Sequence, residues 1–385
     1  MYIALLGRQP ALSVAELEVL YGSSNVQWFS GISATISTDK FDFNRLGGTQ
    51  KAGRVVAELR GNWRQVGSQI AKNYETEWAN REGKITLGIS AYGFRETARD
   101  IQKTGLILKK KLREHGVSMR LIPNSEAALN TATSHHNKLG LNDSHVELLI
   151  VRAGDGRVIV AESIGAQNIT AFAARDQARP KTDAFVGMLP PKLARMMVNM
   201  SGAEKGRVLD PFCGTGVVLQ EAALLGFDVY GTDLSDKMID YSDINLKWLN
   251  QTHHLNTKPT LAQADAMTAV WDSPIDAVAC ETYLGQPFSA PPSPAKLTEV
   301  RGNCNHIISS FLTNLHSQIA SDAPLCIAVP AWKSKEGEFT HLPFIAHLDK
   351  LGYRRRELSL VNPDQLLYYR ENQVVARELL LLEKA

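Results

Sequence analysis

The chain has 385 residues, of which 44% are hydrophobic and 21% are charged, with a formal net charge of +2 at pH 7. These values are typical of a soluble globular protein, and no apolar run is long enough to cross a bilayer, so we expect no membrane partner. A chain of this length holds two or three domains. Because the net charge is nearly zero, any RNA-binding surface must come from local basic patches.

The cysteines and the first residues of the chain predict its compartment. Four cysteines are scattered along the chain without a Cys-x-x-Cys pair, which argues against both a disulfide framework and a zinc site. The segment Met1–Arg8 lacks the basic region and the cleavage site of a signal peptide. We therefore expect a cytoplasmic protein without a metal site.

The first half of the chain predicts two small α+β units. In the first unit, Ser13 and Glu16 have the spacing of a capping box, which predicts a helix that starts there and runs to about Tyr21. The second unit begins near Lys84. The other predicted elements of this half are strands over 2–6, 26–29, 32–37, 54–59, 85–92 and 117–122, helices over 63–73 and 97–115, and a hairpin formed by 145–152 and 158–164.

Strands alternate with helices in the second half, which predicts a mostly parallel sheet. A polar, proline-containing linker over 175–191 leads into it. The elements predicted here are helices over 192–201, 217–226, 296–321 and 342–351, strands over 207–210, 228–233, 277–280 and 325–330, and a closing antiparallel hairpin formed by 353–361 and 374–382.

The stretch Arg207–Gly216 is the most informative motif of the chain. It predicts a buried strand that ends at Asp210, followed by a glycine turn and a helix, which is half of a nucleotide-binding sheet. Leu219 stands where a dinucleotide site would have its third glycine, and no Gly-Lys-Ser/Thr follows, so a Walker loop is excluded.

Three acids at successive strand ends indicate the ligand. Asp210 faces the turn, where a carboxylate would repel a pyrophosphate but attract an ammonium or sulfonium group. Asp233 ends the next strand and is placed to accept both ribose hydroxyls, and Asp265 could accept from an adenine amino group. This set predicts S-adenosylmethionine (SAM) as the cofactor.

Two further stretches are informative about the family, Arg175–Asp183 and Gly187–Gly202, when they are combined with Leu209–Gly216. Together they resemble the THUMP-containing tRNA (guanine-N2) methyltransferases that act on the guanine at position 10. The resemblance implies an α/β chain with a Rossmann-like class I methyltransferase domain, whose mostly parallel sheet ends in a C-terminal antiparallel hairpin. The implied domains are ferredoxin-like (1–75), THUMP RNA-binding (76–174), a linker (175–191) and methyltransferase (192–385).

The resemblance also implies site residues and partners. The methionine end of SAM would lie against the glycine turn, and tRNA would be held by the THUMP unit, whose basic helix is the best candidate surface, although a solvated helix face is an equal alternative. Some relatives work with a small activator subunit. The implied cofactor-binding residues are Met188, Asp210, Pro211, Phe212, Gly214, Gly216, Asp233, Leu234, Asp265 and Ala266. The candidate RNA-binding residues are Lys103, Lys109, Lys110 and Arg113.

The acceptor loop departs from the pattern of amino-methyltransferases, which place Asp or Asn, two prolines and an aromatic residue after the fourth strand. Here Glu281 stands in the place of the acid, Thr282 and Tyr283 replace the prolines, and Leu284 replaces the aromatic residue. Without the prolines the loop should be more mobile.

Three residues of this loop are the predicted catalytic set. Glu281 would accept a hydrogen bond from the target amine, and Tyr283 or Phe288 would stack on the unstacked base. A shifted loop with Gln286 as the acceptor is an alternative for the site. For the whole chain the alternatives are a methyltransferase of another RNA base or of a DNA amino group, and an RNA-binding protein with a catalytically degenerate methyltransferase fold.

Overall fold

The computed structural model describes residues 1–183 and 189–385. The chain forms two compact units, and each of them is discontinuous in sequence. The first unit comprises 1–10, 21–44 and 49–171, and the second comprises 11–20, 45–48 and 172–385.

An eight-stranded sheet organises the first unit. Its strands, in chain order, are β1 (Tyr2–Leu6), β2 (Val26–Ser30), β3 (Ser33–Ile36), β4 (Thr49–Arg60), β5 (Lys84–Tyr92), β6 (Ser118–Leu121), β7 (His145–Arg152) and β8 (Arg157–Ala166). Their order across the sheet is β2-β3-β1-β4-β8-β7-β5-β6. The long strand β4 pairs antiparallel with both β1 and β8, so the stretches 1–75 and 76–174 contribute to one sheet. The predicted hairpin is confirmed by the antiparallel pairing of β7 with β8.

Two amphipathic helices cover this sheet. The four helices of the N-terminal half are α1 (Pro10–Tyr21), α2 (Trp63–Trp78), α3 (Ala98–Glu114) and α4 (Thr131–His136). Helices α2 and α3 each begin with a capping box, at Asn62 and Thr97, which satisfies backbone N–H groups of the first turn. Their apolar faces join one hydrophobic cluster with residues of β5, β7 and β8.

A mixed sheet organises the second unit. Its strands are β9 (Arg207–Asp210), β10 (Asp228–Asp233), β11 (Thr260–Gln263), β12 (Ala277–Glu281), β13 (Leu325–Lys333), β14 (Phe339–Thr340), β15 (Tyr353–Arg355), β16 (Leu367–Tyr368) and β17 (Val375–Lys384). The order β11-β10-β9-β12-β13-β17-β15 is parallel through β13, and β17 runs antiparallel to both of its neighbours in this order. The predicted mostly parallel sheet with a closing antiparallel pair is therefore confirmed, although β15 has three residues instead of the predicted nine.

Helices α5 (Ile169–Gln177), α6 (Pro191–Ser201), α7 (Val217–Leu224), α8 (Asp236–His253) and α9 (Pro294–His316) belong to this half of the chain. The inward face of α9 packs on the sheet in a hydrophobic cluster that includes Phe311, Trp332 and Tyr353. The predicted helix over 342–351 is instead 3-10 helical over Pro343–Leu351, with a non-helical residue at His347.

A buried ion cluster joins α5, α6 and α7. Glu221 is fully buried and accepts hydrogen bonds from Nε of Arg175 at 2.5 Å and from Nε of Arg195 at 2.7 Å. Both guanidinium groups also lie over the ring of Phe172, at 4.5 and 5.5 Å from its centroid. One carboxylate therefore compensates two buried cations, and it ties the segment before the glycine turn to the helix that follows the turn.

Helix α1 packs as part of the second unit, and the capping-box prediction for it is wrong. The helix begins at Pro10, so Ser13 and Glu16 lie inside it and are buried. Glu16 accepts from the backbone N–H groups of Gly47 and Gly48, both at 2.8 Å, and from Asn199 at 2.7 Å, while Ser13 donates to the carbonyl oxygen of Gly48. The pattern that resembled a local cap is used for long-range contacts.

A second acid of the same helix reaches the C-terminal part of the chain. Glu18 accepts from the backbone N–H groups of Ser359 at 2.5 Å and Leu360 at 3.0 Å. Helix α1 thus supplies two buried carboxylates that satisfy backbone donors in two different loops, as buried polar groups require.

Candidate functional site

A cavity of about 820 Å³ opens at the carboxyl ends of β9, β10 and β12. The strand order reverses between β9 and β12, because β10 and β11 lie on one side of β9 and β12 and β13 lie on the other. Such a switch point is where open α/β sheets bind ligands. The volume lies within the range of about 300–1,000 Å³ that small-molecule sites occupy.

The glycine turn forms one wall of the cavity. Gly214 and Gly216 have φ angles of +51° and +80°, which residues with a side chain rarely adopt. A Cβ on Gly216 would also lie 2.9 Å from Oγ of Ser242, a hydroxyl that donates to the carbonyl oxygen of Gly214 at 2.8 Å. The turn is held from behind by α8, so its inner face is free to line the cavity.

The three predicted acids all line this cavity. Asp210 is 2% exposed and accepts from the N–H of Phe212. Asp233 accepts from the N–H groups of Gly214 and Ser235, both at 2.9 Å, and thereby holds the turn. Asp265 accepts from the N–H of Met267 at 2.9 Å.

Burial raises the pKa values of Asp210 and Asp233, and repulsion by neighbouring acids adds to the rise for Asp210. Burial is the main cause that raises the pKa of Asp210 well above its usual range, and the charges of Asp233 and Glu281 raise it further. Burial also raises the pKa of Asp233, against the N–H groups that lower it. Lys237 is the only lysine or arginine among the described residues that line the cavity. Its Nζ pairs with Asp183 at 2.8 Å. The cavity is therefore acidic and suits a cationic ligand.

The structure brings most of the predicted cofactor residues to this cavity. Gly216 is not among the lining residues, because its Cα faces α8, and Met188 lies outside the described residues. The predicted residues that line the cavity are Asp210, Pro211, Phe212, Gly214, Asp233, Leu234, Asp265 and Ala266.

The acceptor loop also lines the cavity, beside the end of β9, because β12 pairs with β9. Glu281 and Tyr283 line the cavity, and the Tyr283 residue is 42% exposed. Phe288 is not a lining residue, since its ring packs against the hydrophobic cluster beneath α9. Thr282 is buried and bonds the carbonyl oxygen of Ala328 twice, through its N–H and its hydroxyl, both at 2.9 Å. Two hydrogen bonds thus fix the loop at the position of the first missing proline.

Arg377 is the residue of the site that sequence reasoning missed. It lies on β17, is 7% exposed, and its Nε donates to Oε1 of Glu281. The one signal in the sequence is the charged pair Arg377-Glu378 inside an otherwise apolar strand. No local pattern connects it with Glu281, because the two residues are 96 positions apart.

The four candidate RNA-binding residues lie on α3 of the first unit. Lys103, Lys109, Lys110 and Arg113 are all exposed, whereas the opposite face of α3, with Ile101, Leu108 and Leu112, is buried. The helix therefore presents a basic face to solvent.

Two further observations concern metal binding and membrane crossing. Within 1–183 and 189–385, no group of three His, Cys, Asp or Glu side chains is arranged to hold a metal ion. In the same part of the chain, no helix combines the length and the apolar character that crossing a bilayer would require.

Comparisons with known proteins match the part of the chain that contains the acids of the cavity. Residues 179–281 match the family model described as "RMKL-like, methyltransferase domain". The tRNA (guanine(10)-N2)-dimethyltransferase of Methanothermobacter thermautotrophicus is 34% identical over 164 residues, which are 42% of this chain and 45% of that protein. The protein of the same name from Pyrococcus abyssi is 48% identical over 60 residues, 16% of this chain and 18% of that one. The chain thus spans less than half the length of either relative.

Solved structures share the fold at low sequence identity. TrmN from Thermus thermophilus has a TM-score of 0.53 and 18% identity, with 100% of this chain and 99% of that chain covered. A possible methylase from Clostridium difficile 630 has a TM-score of 0.50 and 11% identity, with 100% and 98% covered. The predicted Rossmann-like class I methyltransferase fold is confirmed by these structures, and the sequence match to the RMKL-like methyltransferase domain is confined to residues 179–281.

Proposed function

We propose that this protein transfers a methyl group from SAM to the exocyclic N2 of a guanine in tRNA, the guanine at position 10. The observation that carries the proposal is that the three acids Asp210, Asp233 and Asp265 share one cavity with the strand-end carboxylate Glu281. The RMKL-like domain supports the reaction class, and the names of the two archaeal relatives support the substrate and the atom.

The residues present fit SAM. When bound, SAM supplies an electrophilic methyl group on a positively charged sulfur. Asp210 would hold the ammonium group of its methionine end, Asp233 the ribose hydroxyls, and Asp265 with Ala266 the adenine. The acidic lining fits this cation, since the one cation among the described lining residues is paired with Asp183.

The acceptor loop would hold the guanine. Glu281 would accept a hydrogen bond from the exocyclic amine and so align its lone pair with the methyl group. The amine nitrogen would bond to the methyl carbon while the sulfur–methyl bond breaks and its electron pair stays on the sulfur. The amine would then give up one proton, for which the Glu281 carboxylate is the acceptor in this proposal. Tyr283 would stack on the base after it has left its own stack. The contribution of the chain is orientation and placement of charge.

The first unit would hold the tRNA. The exposed basic face of α3, with Lys103, Lys109, Lys110 and Arg113, is suited to phosphate contacts, which give affinity and register without reading sequence. The THUMP assignment of this unit, the domain limits, a small activator subunit and a cytoplasmic location remain predictions.

The test is a transfer assay with unmodified tRNA and methyl-labelled SAM, followed by digestion to nucleosides. Label in N2-methylguanosine or its dimethyl form is the expected result, and it should vanish when guanine 10 is replaced by adenine. Label in another nucleoside, or in DNA, would move the activity to a different base. Binding of tRNA without any transfer would instead indicate a degenerate methyltransferase fold.

Binding of SAM should depend on pH through Asp210. Burial and the neighbouring acids raise the pKa of Asp210 in the free protein, and a bound ammonium group would lower it again. Affinity should therefore fall as pH falls, by about tenfold per unit in the window where the free carboxyl is protonated and the bound one is ionised. Calorimetry in buffers of different ionisation enthalpy should detect proton release on binding. Asp210→Asn should weaken binding and abolish this dependence; an unchanged pH profile in the variant would contradict the assignment.

A further inference from the structure

The contact between Arg377 and Glu281 connects a buried strand with the wall of the cavity. Glu281 ends β12 and its side chain is 14% exposed, whereas Arg377 lies on β17, with β13 between the two strands. Two strand spacings separate them by about 10 Å. Two long side chains can bridge this gap, while an aspartate at position 281 would be one methylene too short.

The guanidinium group of Arg377 compensates the negative charge of Glu281, which burial disfavours. Burial is the larger effect and raises the pKa of Glu281 above its usual value, and Arg377 limits this rise through its charge and its hydrogen bond. Asp210, Asp233 and Asp265 line the same cavity, so without Arg377 the carboxylate would be buried among other acids. The charged groups that act on Glu281 are thus Arg377 from β17 and Asp210 from β9.

The hydrogen bond also distinguishes the two oxygens of the carboxylate. Oε1 accepts from Nε of Arg377, and among the described residues Oε2 has no hydrogen-bond partner. The side chain of Arg377 in turn has no other hydrogen-bond or ion-pair partner among the described residues. One oxygen is therefore held by the protein while the other remains to accept from a substrate amine. The backbone beside it is held as well, by the two hydrogen bonds of Thr282 to Ala328.

We propose that Arg377 is the positioning residue of the methyl-acceptor site, and that it holds Glu281 as an ionised carboxylate with one oxygen directed to the target amine. This inference rests on the proposed function. The Arg377–Glu281 pair and the anchored Thr282 together take over the rigidity that a proline pair gives the corresponding loop in other amino-methyltransferases.

The test compares Arg377→Met, Arg377→Lys and Glu281→Asp with the wild-type protein in single-turnover methyl transfer to tRNA across pH. Removing the guanidinium group should raise the pKa of Glu281, so the acid limb of the rate profile of Arg377→Met should move to higher pH by about one unit or more. Its rate at neutral pH should fall about tenfold or more and recover partly at higher pH. The dissociation constant of SAM should change by less than about threefold, since Arg377 does not line the cofactor's part of the cavity.

The two conservative variants keep the proposal testable if Arg377→Met folds poorly. Arg377→Lys retains the charge and should keep the acid limb near that of the wild type while losing rate. Glu281→Asp retains the acid but should lose the contact and shift the limb as Arg377→Met does. An unchanged pH profile in both Arg377→Met and Glu281→Asp, with active wild-type protein, would overturn the role of Arg377 alone. Absence of transfer by the wild-type protein would overturn the proposed function and this role with it.

Discussion

Replacing Glu221 with alanine is expected to lower the free energy of unfolding by about 3–5 kcal/mol. The fully buried Glu221 carboxylate is bonded by Nε of both Arg175 and Arg195, and these arginines are 5% and 9% exposed. The alanine variant would leave two buried cations without their shared counter-ion, which is more costly than the loss of a single hydrogen bond. Chemical denaturation monitored by circular dichroism would measure the change.

Two controls isolate the charge effect. Glu221→Gln retains the shape and one acceptor oxygen, so its loss should be smaller than that of the alanine variant but still clearly measurable. Asp243→Ala removes an acid from an exposed i,i+4 pair with Lys247, where the side chains are 39% and 69% exposed. That change should cost less than about 1 kcal/mol. If Glu221→Ala were as mild as Asp243→Ala, the buried cluster would not be a determinant of stability.

The second large effect is expected for Glu281→Ala, which should slow methyl transfer by about 10²-fold or more. The variant removes the carboxylate that the proposed mechanism uses to align the target amine, and it also leaves Arg377 buried without its partner. Single-turnover measurements with saturating SAM and tRNA would give the rate of the chemical step.

Matched measurements separate chemistry from folding in this variant. The affinity for SAM should remain close to that of the wild type, because the variant retains Asp210, Asp233 and Asp265, the three acids assigned to the cofactor. Glu281→Gln keeps an amide oxygen as acceptor and should lose less rate than the alanine variant. Wild-type rates in Glu281→Ala would refute the assigned role and favour the shifted loop, with Gln286 as the acceptor.

The sequence was informative where the chemistry is local. The glycine turn at 214–216 and the acids at the ends of β9 and β10 could be predicted, because the carboxyl ends of parallel strands meet at one edge of a sheet. The loop after β12 could also be recognised as the place where the pattern departs. What a short motif encodes in its own few residues was therefore predictable in position, while the roles of these residues stay predictions.

Contacts between distant segments could not be predicted in this way. Arg377 and Glu281 are 96 residues apart, and nothing in either neighbourhood specifies the other. Ser13 and Glu16 show a further limit, because the spacing of a capping box places both side chains near one helix face whether or not the helix starts there. Both side chains are buried and make long-range hydrogen bonds instead of capping the helix, and this burial depends on the assembled unit rather than on the motif.

Helix α1 has a consequence for how the second unit assembles. Its acid Glu18 meets the backbone of Ser359 across a separation of 341 residues, so α1 is synthesised well before the segment that it contacts. Contacts of such long range form late and slow the folding of a domain. During translation the Glu18 contact therefore cannot form until residue 360 has been made, and chains with incomplete packing of this kind are prone to aggregate. A fragment that begins at residue 192 would lack α1 altogether, and the N–H groups of Ser359 and Leu360 would lose the acceptor that the whole chain supplies.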